Sequence, residues 1–289
     1  MTRPDTDQTY RQRILKVMLH IGSHLDGDLS LEAMARLSCF SPYHFHRIFR
    51  EQAGEPLARY VRRLRLERAA GRLKQTRLGV LEIALEAGFE AHESFSRGFR
   101  DMFGVSPSDY RKGHGVALGP TAEAGIEPRP TGALIMQVSI EKVQARRIAS
   151  VHHTGAYEQI GAKFEKICAW AGQRNLFGPE TKVLGIYYDD PDVTPVEQRR
   201  SQAAVTVGEN VEGDGEVTVS ELAGGSYAVA RHKGCYSKLI DTYRWIYGQW
   251  LPTSGREPGD QPCFEVYLNN PQEVKPEELE TDVYVPLKG

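Results

Sequence analysis

Two sets of residues in this sequence can do chemistry. The string PCFEVYLNNP (262–271) sets one carboxylate, Glu265, among Phe264, Val266 and Tyr267. In a strand, alternation puts Glu265 and Tyr267 on one face and Phe264 and Val266 on the other. A carboxylate beside aromatic faces suits an organic cation, because the rings attract positive charge and the carboxylate compensates it. The other reading is a half-exposed strand carboxylate paired with a surface Lys or Arg. The second set is basic. Tyr43, His44, His46, Arg47 and Arg50 stand clear of an apolar stripe at helical spacing (Phe45, Ile48, Phe49). His92, Glu93, Ser96, Arg97 and Arg100 do the same beside Phe95, Phe99, Met102 and Phe103. A helix anchored by apolar residues and presenting Arg with Ser- and His-type side chains has what reading a DNA major groove requires. On periodicity and charge alone, a helical bundle with solvated charges fits equally well.

The elements that must position the basic set recur. Ile14, Val17, Met18 and Ile21 mark an amphipathic helix over 8–26. Ser30 N-caps the short helix LEAMARL, Ser41-Pro42 restarts a helix, and Gly54 ends it. One long helix (55–75) leads to LEIALEA, which stops at Gly88. The second polar helix follows, and Ser106-Pro107 opens a last short helix ending near Tyr110-Arg111. The sequence thus predicts two units of short helix, turn and longer helix, about fifty residues apart.

The glutamate belongs to a second repeat. ASVHHTGAYEQI (149–160) matches AVARHKGCYSKL (228–239) at an offset of 79, pairing His153 with His232, Gly155 with Gly234 and Tyr157 with Tyr236. GIYYDDP (185–191) matches EVYLNNP (265–271) at an offset of 80, so Gly185 is the counterpart of Glu265 and Tyr187 of Tyr267. Each half reads strand, helix, strand, strand, preceded by a further β segment (MQVSIEKV, EVTVSELA). Neither half can bury its apolar face alone, which calls for a pseudo-twofold α+β domain. Tyr157, Tyr188, Trp245 and Trp250 are further candidates for the walls around Glu265.

At 289 residues the chain has room for about two domains. Residues 1–115 carry 19 Lys and Arg against 14 Asp and Glu, and the remainder 17 against 24, so the two parts call for different partners. Between them, residues 113–132 hold five Gly and three Pro without periodicity and read as a linker. No run approaches the ~20 apolar residues of a membrane span, and the first residues lack an apolar leader stretch. The four cysteines are scattered, which argues against a disulfide framework and against a metal site or other cofactor. A cytoplasmic protein without membrane contact is the expectation.

ALEAGF (84–89) followed by ESFSRGFRDMFGVSPSDYR (93–111) resembles the signature of the AraC/XylS family of transcription regulators. LSCFSPYHFHRIFREQAGEPLARYVRRLRLERA (37–69) resembles that family's first helix-turn-helix and connecting helix, and the likeness spans about 10–112. The resemblance implies that helices 42–52 and 92–103 read successive major-groove segments about 34 Å apart. It places Tyr43, His46 and Arg47, and His92, Glu93, Ser96 and Arg97, at base-reading positions, with Arg50 and Arg100 on phosphates. HKGCYSKL, YGQWLPTSG and PCFEVYLNNP, in that order, resemble the GyrI-like effector-binding domain over about 134–287. That resemblance implies a pocket holding Glu265, with Tyr157, Tyr187, Tyr267 and Trp245 around it, and hydrophobic, often cationic ligands.

Together these readings predict an all-α double helix-turn-helix (8–112), a linker (113–133) and a pseudo-twofold α+β GyrI-like domain (134–289). The expected function is a sequence-specific, DNA-binding transcription regulator and not an enzyme. Its expected partners are double-stranded DNA, a small hydrophobic effector and RNA polymerase. The alternatives are a hydrolase using Glu265 with Tyr187 or Tyr267, and a protein that sequesters small molecules or inhibits another protein.

Overall fold

The computed structural model describes residues 6–113, 136–191 and 193–289, and the chain divides into a helical unit and a sheet unit. From residue 114 on, the segment expected as a linker lies outside the described residues.

The helical unit runs α1 (Thr6–Ser23), α2 (Leu31–Ser38), α3 (Pro42–Ala53), α4 (Leu57–Gln75), α5 (Val80–Glu86), α6 (His92–Phe103) and α7 (Pro107–Arg111). Its helices start where side chains cap them: Ser30 Oγ accepts from the Ala33 N–H at 3.3 Å, Ser41 from His44 at 3.4 Å and Ser106 from Asp109 at 3.2 Å. Pro42 and Pro107 sit in first turns, where an N–H has no partner within the helix. α2–α3 and α5–α6 are the two helix-turn-helix units. α3 and α6 are 12 residues each and stop at Gly54 and Gly104, both with φ of 76°. Each is locked to the following helix by the same aromatic triplet. Phe45–Phe49 and Phe95–Phe99 both lie 5.5 Å apart, and Tyr60 and Tyr110 meet the second ring edge-on at 5.4 and 5.3 Å. At the turns the units differ. Gly88 takes the left-handed conformation without penalty, whereas its counterpart Cys39 adopts φ of 58° as a residue with a Cβ.

The sheet unit contains β1 (Val138–Val143), β2 (Arg146–Thr154), α8 (Gly161–Gln173), β3 (Val183–Tyr187), β4 (Arg200–Thr206), β5 (Thr218–Leu222), β6 (Gly225–Lys233), α9 (Leu239–Trp245), β7 (Cys263–Tyr267) and β8 (Glu280–Leu287). Its strands form one antiparallel sheet in the order β1-β6-β8-β7-β3-β4-β2-β5. Exchanging β1 with β5, β2 with β6, β3 with β7 and β4 with β8 leaves that order intact, so the pseudo-twofold passes between β3 and β7. The leading β segment of each half crosses to the other half: β1 pairs with β6 and β5 with β2. Neither half therefore closes its sheet alone.

The helices cover one face, where Ile167, Trp170 and Ala171 of α8 pack on Ala149, Val151, Ala203 and Val205. Leu184, Ile186, Phe264 and Val266 point to the other face, with Tyr227 and Tyr284. α9 runs on through a π turn (Ile246–Trp250) to a final turn ending at Thr253. The 3₁₀ turns Tyr157–Gln159 and Tyr236–Lys238 differ by 79, while β3 and β7 differ by 80. The wide π turn absorbs that one extra residue inside the helix.

Candidate functional site

Because the twofold passes between β3 and β7, equivalent positions face each other there, and Gly185 is the direct cross-strand neighbour of Glu265. Glu265 is 4 % exposed and lies on the helix-covered face. Tyr267 donates its hydroxyl proton to Glu265 Oε2 at 2.9 Å, and Tyr243 of α9 donates to Oε1 at 3.1 Å. Tyr187 and Tyr267 hydroxyls are 2.9 Å apart. Tyr267 has spent its only proton on the carboxylate, so Tyr187 is the donor in that pair. Burial first, and the Glu265 charge second, hold both phenols well above the ordinary tyrosine range. They stay protonated near neutral pH and act as donors.

Rings enclose this network. Tyr157 meets Tyr187 edge-on at 5.0 Å, Phe164 meets Tyr267 at 5.2 Å, and Tyr236 meets Tyr267 at 5.3 Å. The absent side chain at 185 is a condition of the arrangement. A Cβ there would stand 2.9 Å from both Tyr187 Cε2 and Tyr267 Oη.

Of the residues expected around Glu265, the structure brings Tyr157, Tyr187 and Tyr267 together with it. Trp245 is half-buried on α9, two residues and roughly 200° around the helix from Tyr243. Trp250 is half-buried in the π turn. Tyr188 belongs to the opposite face, packed with Ile186 and Phe264. Alternation along the strand, which separates Glu265 from Phe264, separates Tyr188 from Tyr187 as well. Tyr243, Tyr236 and Phe164 escaped the sequence reading, although the offset of 79 equates Phe164 with Tyr243 and Tyr157 with Tyr236. The two halves depart from symmetry twice at this site, Gly185 against Glu265 and Phe164 against Tyr243. The second departure supplies a hydroxyl to the first.

The histidines that recur in the repeat brace turns. His153 Nε2 lies 2.9 Å from the Ala156 carbonyl, and buried His232 lies 2.8 Å from Thr242 Oγ1 and 3.3 Å from the Cys235 carbonyl. Burial pushes the His232 imidazole below its ordinary range. Among the described residues no group of three or more His, Cys, Asp and Glu is placed to hold a metal ion.

In the helical unit, α6 presents His92, Glu93, Arg97 and Arg100 exposed, with Ser96 half-buried beside His92. Tyr43, Arg47 and Arg50 form the corresponding face of α3, half-buried, with the Arg47 guanidinium 4.4 Å from the Tyr43 ring centre. Two expectations for α3 need correction: His44 and His46 are 1 % and 3 % exposed rather than on the outer face. With 3.6 residues per turn they lie roughly 100° to either side of the Phe45–Ile48–Phe49 stripe, on its flanks. Tyr43, Arg47 and Arg50 alone lie opposite it.

A model of the GyrI-like small molecule binding domain matches residues 136–288, and a model of a helix-turn-helix domain matches 34–113. The sheet unit is similar to the DNA gyrase inhibitor of Escherichia coli, 35% identical over 142 residues, which are 47% of this chain and 87% of that one. It is also similar to the probable transcriptional regulator YgiV of E. coli, 33% identical over 157 residues, 53% of this chain and 98% of the relative. The helical unit is similar to the HTH-type transcriptional activator AarP of Providencia stuartii, 39% identical over 98 residues, 34% of this chain and 73% of the relative.

Proposed function

The chain belongs to the family of the GyrI-like small molecule binding domain, joined here to an AraC-type helix-turn-helix module, and from that premise we propose how it works as a DNA-binding transcription regulator. The sheet unit binds a small hydrophobic cation at Glu265, and the bound ligand alters how the helical unit engages DNA. One observation carries the effector class: a buried carboxylate, held at both oxygens by tyrosine hydroxyls and ringed by Tyr157, Phe164, Tyr187, Tyr236 and Tyr267. Such a site offers a cation ring faces and a fixed charge. Coupling to DNA requires that the ligand favour one of two arrangements of the protein.

On the DNA side, Arg47 and Arg97 make bidentate contacts to guanine, flanked by Tyr43 and His46 and by His92, Glu93 and Ser96. Arg50 and Arg100 bind phosphate. His46 reaches DNA only if its buried side chain turns outward, which makes it the weakest member of the set. The likeness to a transcriptional activator supports polymerase recruitment as the output. We read the Glu265 site as a binding site and not a catalytic one. Its Tyr187 and Tyr267 phenols are held protonated, which leaves Glu265 as the base of the hydrolytic alternative, and both Glu265 oxygens already accept hydroxyl protons from Tyr243 and Tyr267.

The test uses the three tryptophans, Trp170, Trp245 and Trp250, all in the sheet unit. Their fluorescence is titrated with tetraphenylphosphonium and with neutral triphenylphosphine oxide. Saturable quenching by the cation at concentrations far below the neutral compound supports the assignment, and equal affinities sink it. On the DNA side, Arg97→Ala costs ~1–3 kcal/mol and relaxes preference at one base pair. Equal loss on selected and random duplexes would remove Arg97 from the reading set.

A further inference from the structure

The long helix α4 is rich in arginine, and two of these side chains do something that composition does not show. Arg68 makes a two-point contact with Asp26 (Nη1 to Oδ2 2.8 Å, Nη2 to Oδ1 2.5 Å), in the loop between α1 and α2. The same Nη2 donates to the Glu86 carbonyl at 3.0 Å, at the end of α5. One turn earlier, Arg65 Nε donates to the Leu25 carbonyl at 3.0 Å, again in the loop that precedes α2. The Arg65 guanidinium also lies against the turn of the second unit, since a Cβ at Gly88 would stand 2.8 Å from its Nη1. Arg72 pairs with the Glu86 carboxylate. The Arg68 guanidinium holds the exposed Asp26 carboxyl below its ordinary range.

Each of these arginines therefore ties the loop that leads into the first helix-turn-helix unit to the second unit, and both are turned inward onto protein groups. We propose that Arg65 and Arg68 form a clamp that fixes the distance and phase between α3 and α6. They would thereby set which spacing of two DNA half-sites the protein accepts, without touching the DNA. This rests on the DNA-binding reading above. A two-point arginine–carboxylate contact that shares a backbone carbonyl is the geometry in which a partly exposed ion pair contributes measurably.

The experiment compares full-length proteins on a duplex that the wild type selects from a random library. It adds versions of that duplex with one base pair inserted or removed between the half-sites. Wild type discriminates against the altered spacings. Arg68→Ala and Asp26→Ala should each narrow that discrimination about fivefold, close to 1 kcal/mol. The swapped pair Asp26→Arg with Arg68→Asp should recover part of it. Asp26 has a side chain 75% exposed, so its replacement leaves the core intact. The opposite result is equally clear. If Arg68 is a phosphate contact, Arg68→Ala weakens binding equally on every duplex and lowers the salt dependence, while Asp26→Ala, freeing the guanidinium, tightens it. That pattern overturns the clamp. If the wild type selects no duplex, the DNA-binding reading fails, which is a different outcome from a wild type that binds with unchanged spacing preference in both variants.

Discussion

Replacing Glu265 with Gln removes one charge and almost no volume, so its effect can be worked out in advance. A cation seated against the carboxylate at ~4 Å gains about 4 kcal/mol at an effective dielectric near 20. The Tyr243 and Tyr267 hydroxyls already bonded to the carboxylate screen roughly half of that, leaving about 2 kcal/mol, or near thirtyfold in affinity. The rings still contribute about 1 kcal/mol of cation–π attraction, so binding weakens without vanishing. The hydroxyl chain also has to rearrange. Tyr243 and Tyr267 each donate to a carboxylate oxygen, at 3.1 and 2.9 Å, and in the amide whichever of them faces the NH2 must accept instead; where that is Tyr267, its proton turns toward Tyr187. Calorimetry with tetraphenylphosphonium and neutral triphenylphosphine oxide on both proteins separates charge from shape. The cation should lose about thirtyfold in the variant while the neutral compound changes less than threefold. Parallel losses for both would mean that Glu265 shapes the site rather than supplying its charge, and would refute the reasoning.

Three further outcomes follow from the geometry. Gly185→Ala puts a Cβ 2.9 Å from Tyr187 and Tyr267, so the pair must separate. The sheet unit should lose about 1–3 kcal/mol in denaturant unfolding and bind the cation more weakly. Unchanged stability would mean the tyrosines yield freely. Cys39→Gly relieves the left-handed Cβ at φ 58° and should stabilise the helical unit by ~1 kcal/mol, read as a higher midpoint in urea. A lower midpoint would show that the freedom glycine adds to the unfolded chain outweighs the strain. Burial depresses the His232 pKa in the folded state, so the folded protein binds fewer protons there than the unfolded chain. Its contribution is intact above the ordinary value of about 6.5 and is lost as pH falls below it toward the folded pKa. His232→Gln should flatten that acid limb of the stability curve, and an unaltered limb would assign it to other groups.

Much of this architecture was legible because repetition exposes it. Offsets near fifty and near eighty residues marked both duplicated units, and cap chemistry at Ser30, Ser41 and Ser106 fixed helix starts within a residue or two. Glu265 stood out because its counterpart is a glycine. The same comparison, carried to α9, would have found Tyr243 as the partner of Phe164. Trp245 is expected there as an aromatic residue and from the family resemblance, and neither says which side of a helix it occupies. His44 and His46 were misjudged because polar type was read as exposure, whereas residues roughly 100° from a stripe's centre pack along its flanks. The inward turn of Arg65 and Arg68 had no local signal, since their partners lie 40 and 42 residues away in sequence. The pairing of β1 and β5 across the repeat is likewise a long-range choice that strand propensity leaves open.

If the two units are coupled, occupancy of the Glu265 site alters DNA binding. The direct measurement is the affinity of the full-length protein for its selected duplex, with and without saturating tetraphenylphosphonium, for wild type and Glu265→Gln. The two proteins should bind DNA with equal affinity without ligand, and adding the cation should change the affinity several-fold for the wild type alone. A wild type that binds the cation and keeps its DNA affinity unchanged, or a variant at a matched low cation concentration that responds as strongly as the wild type, would contradict that coupling.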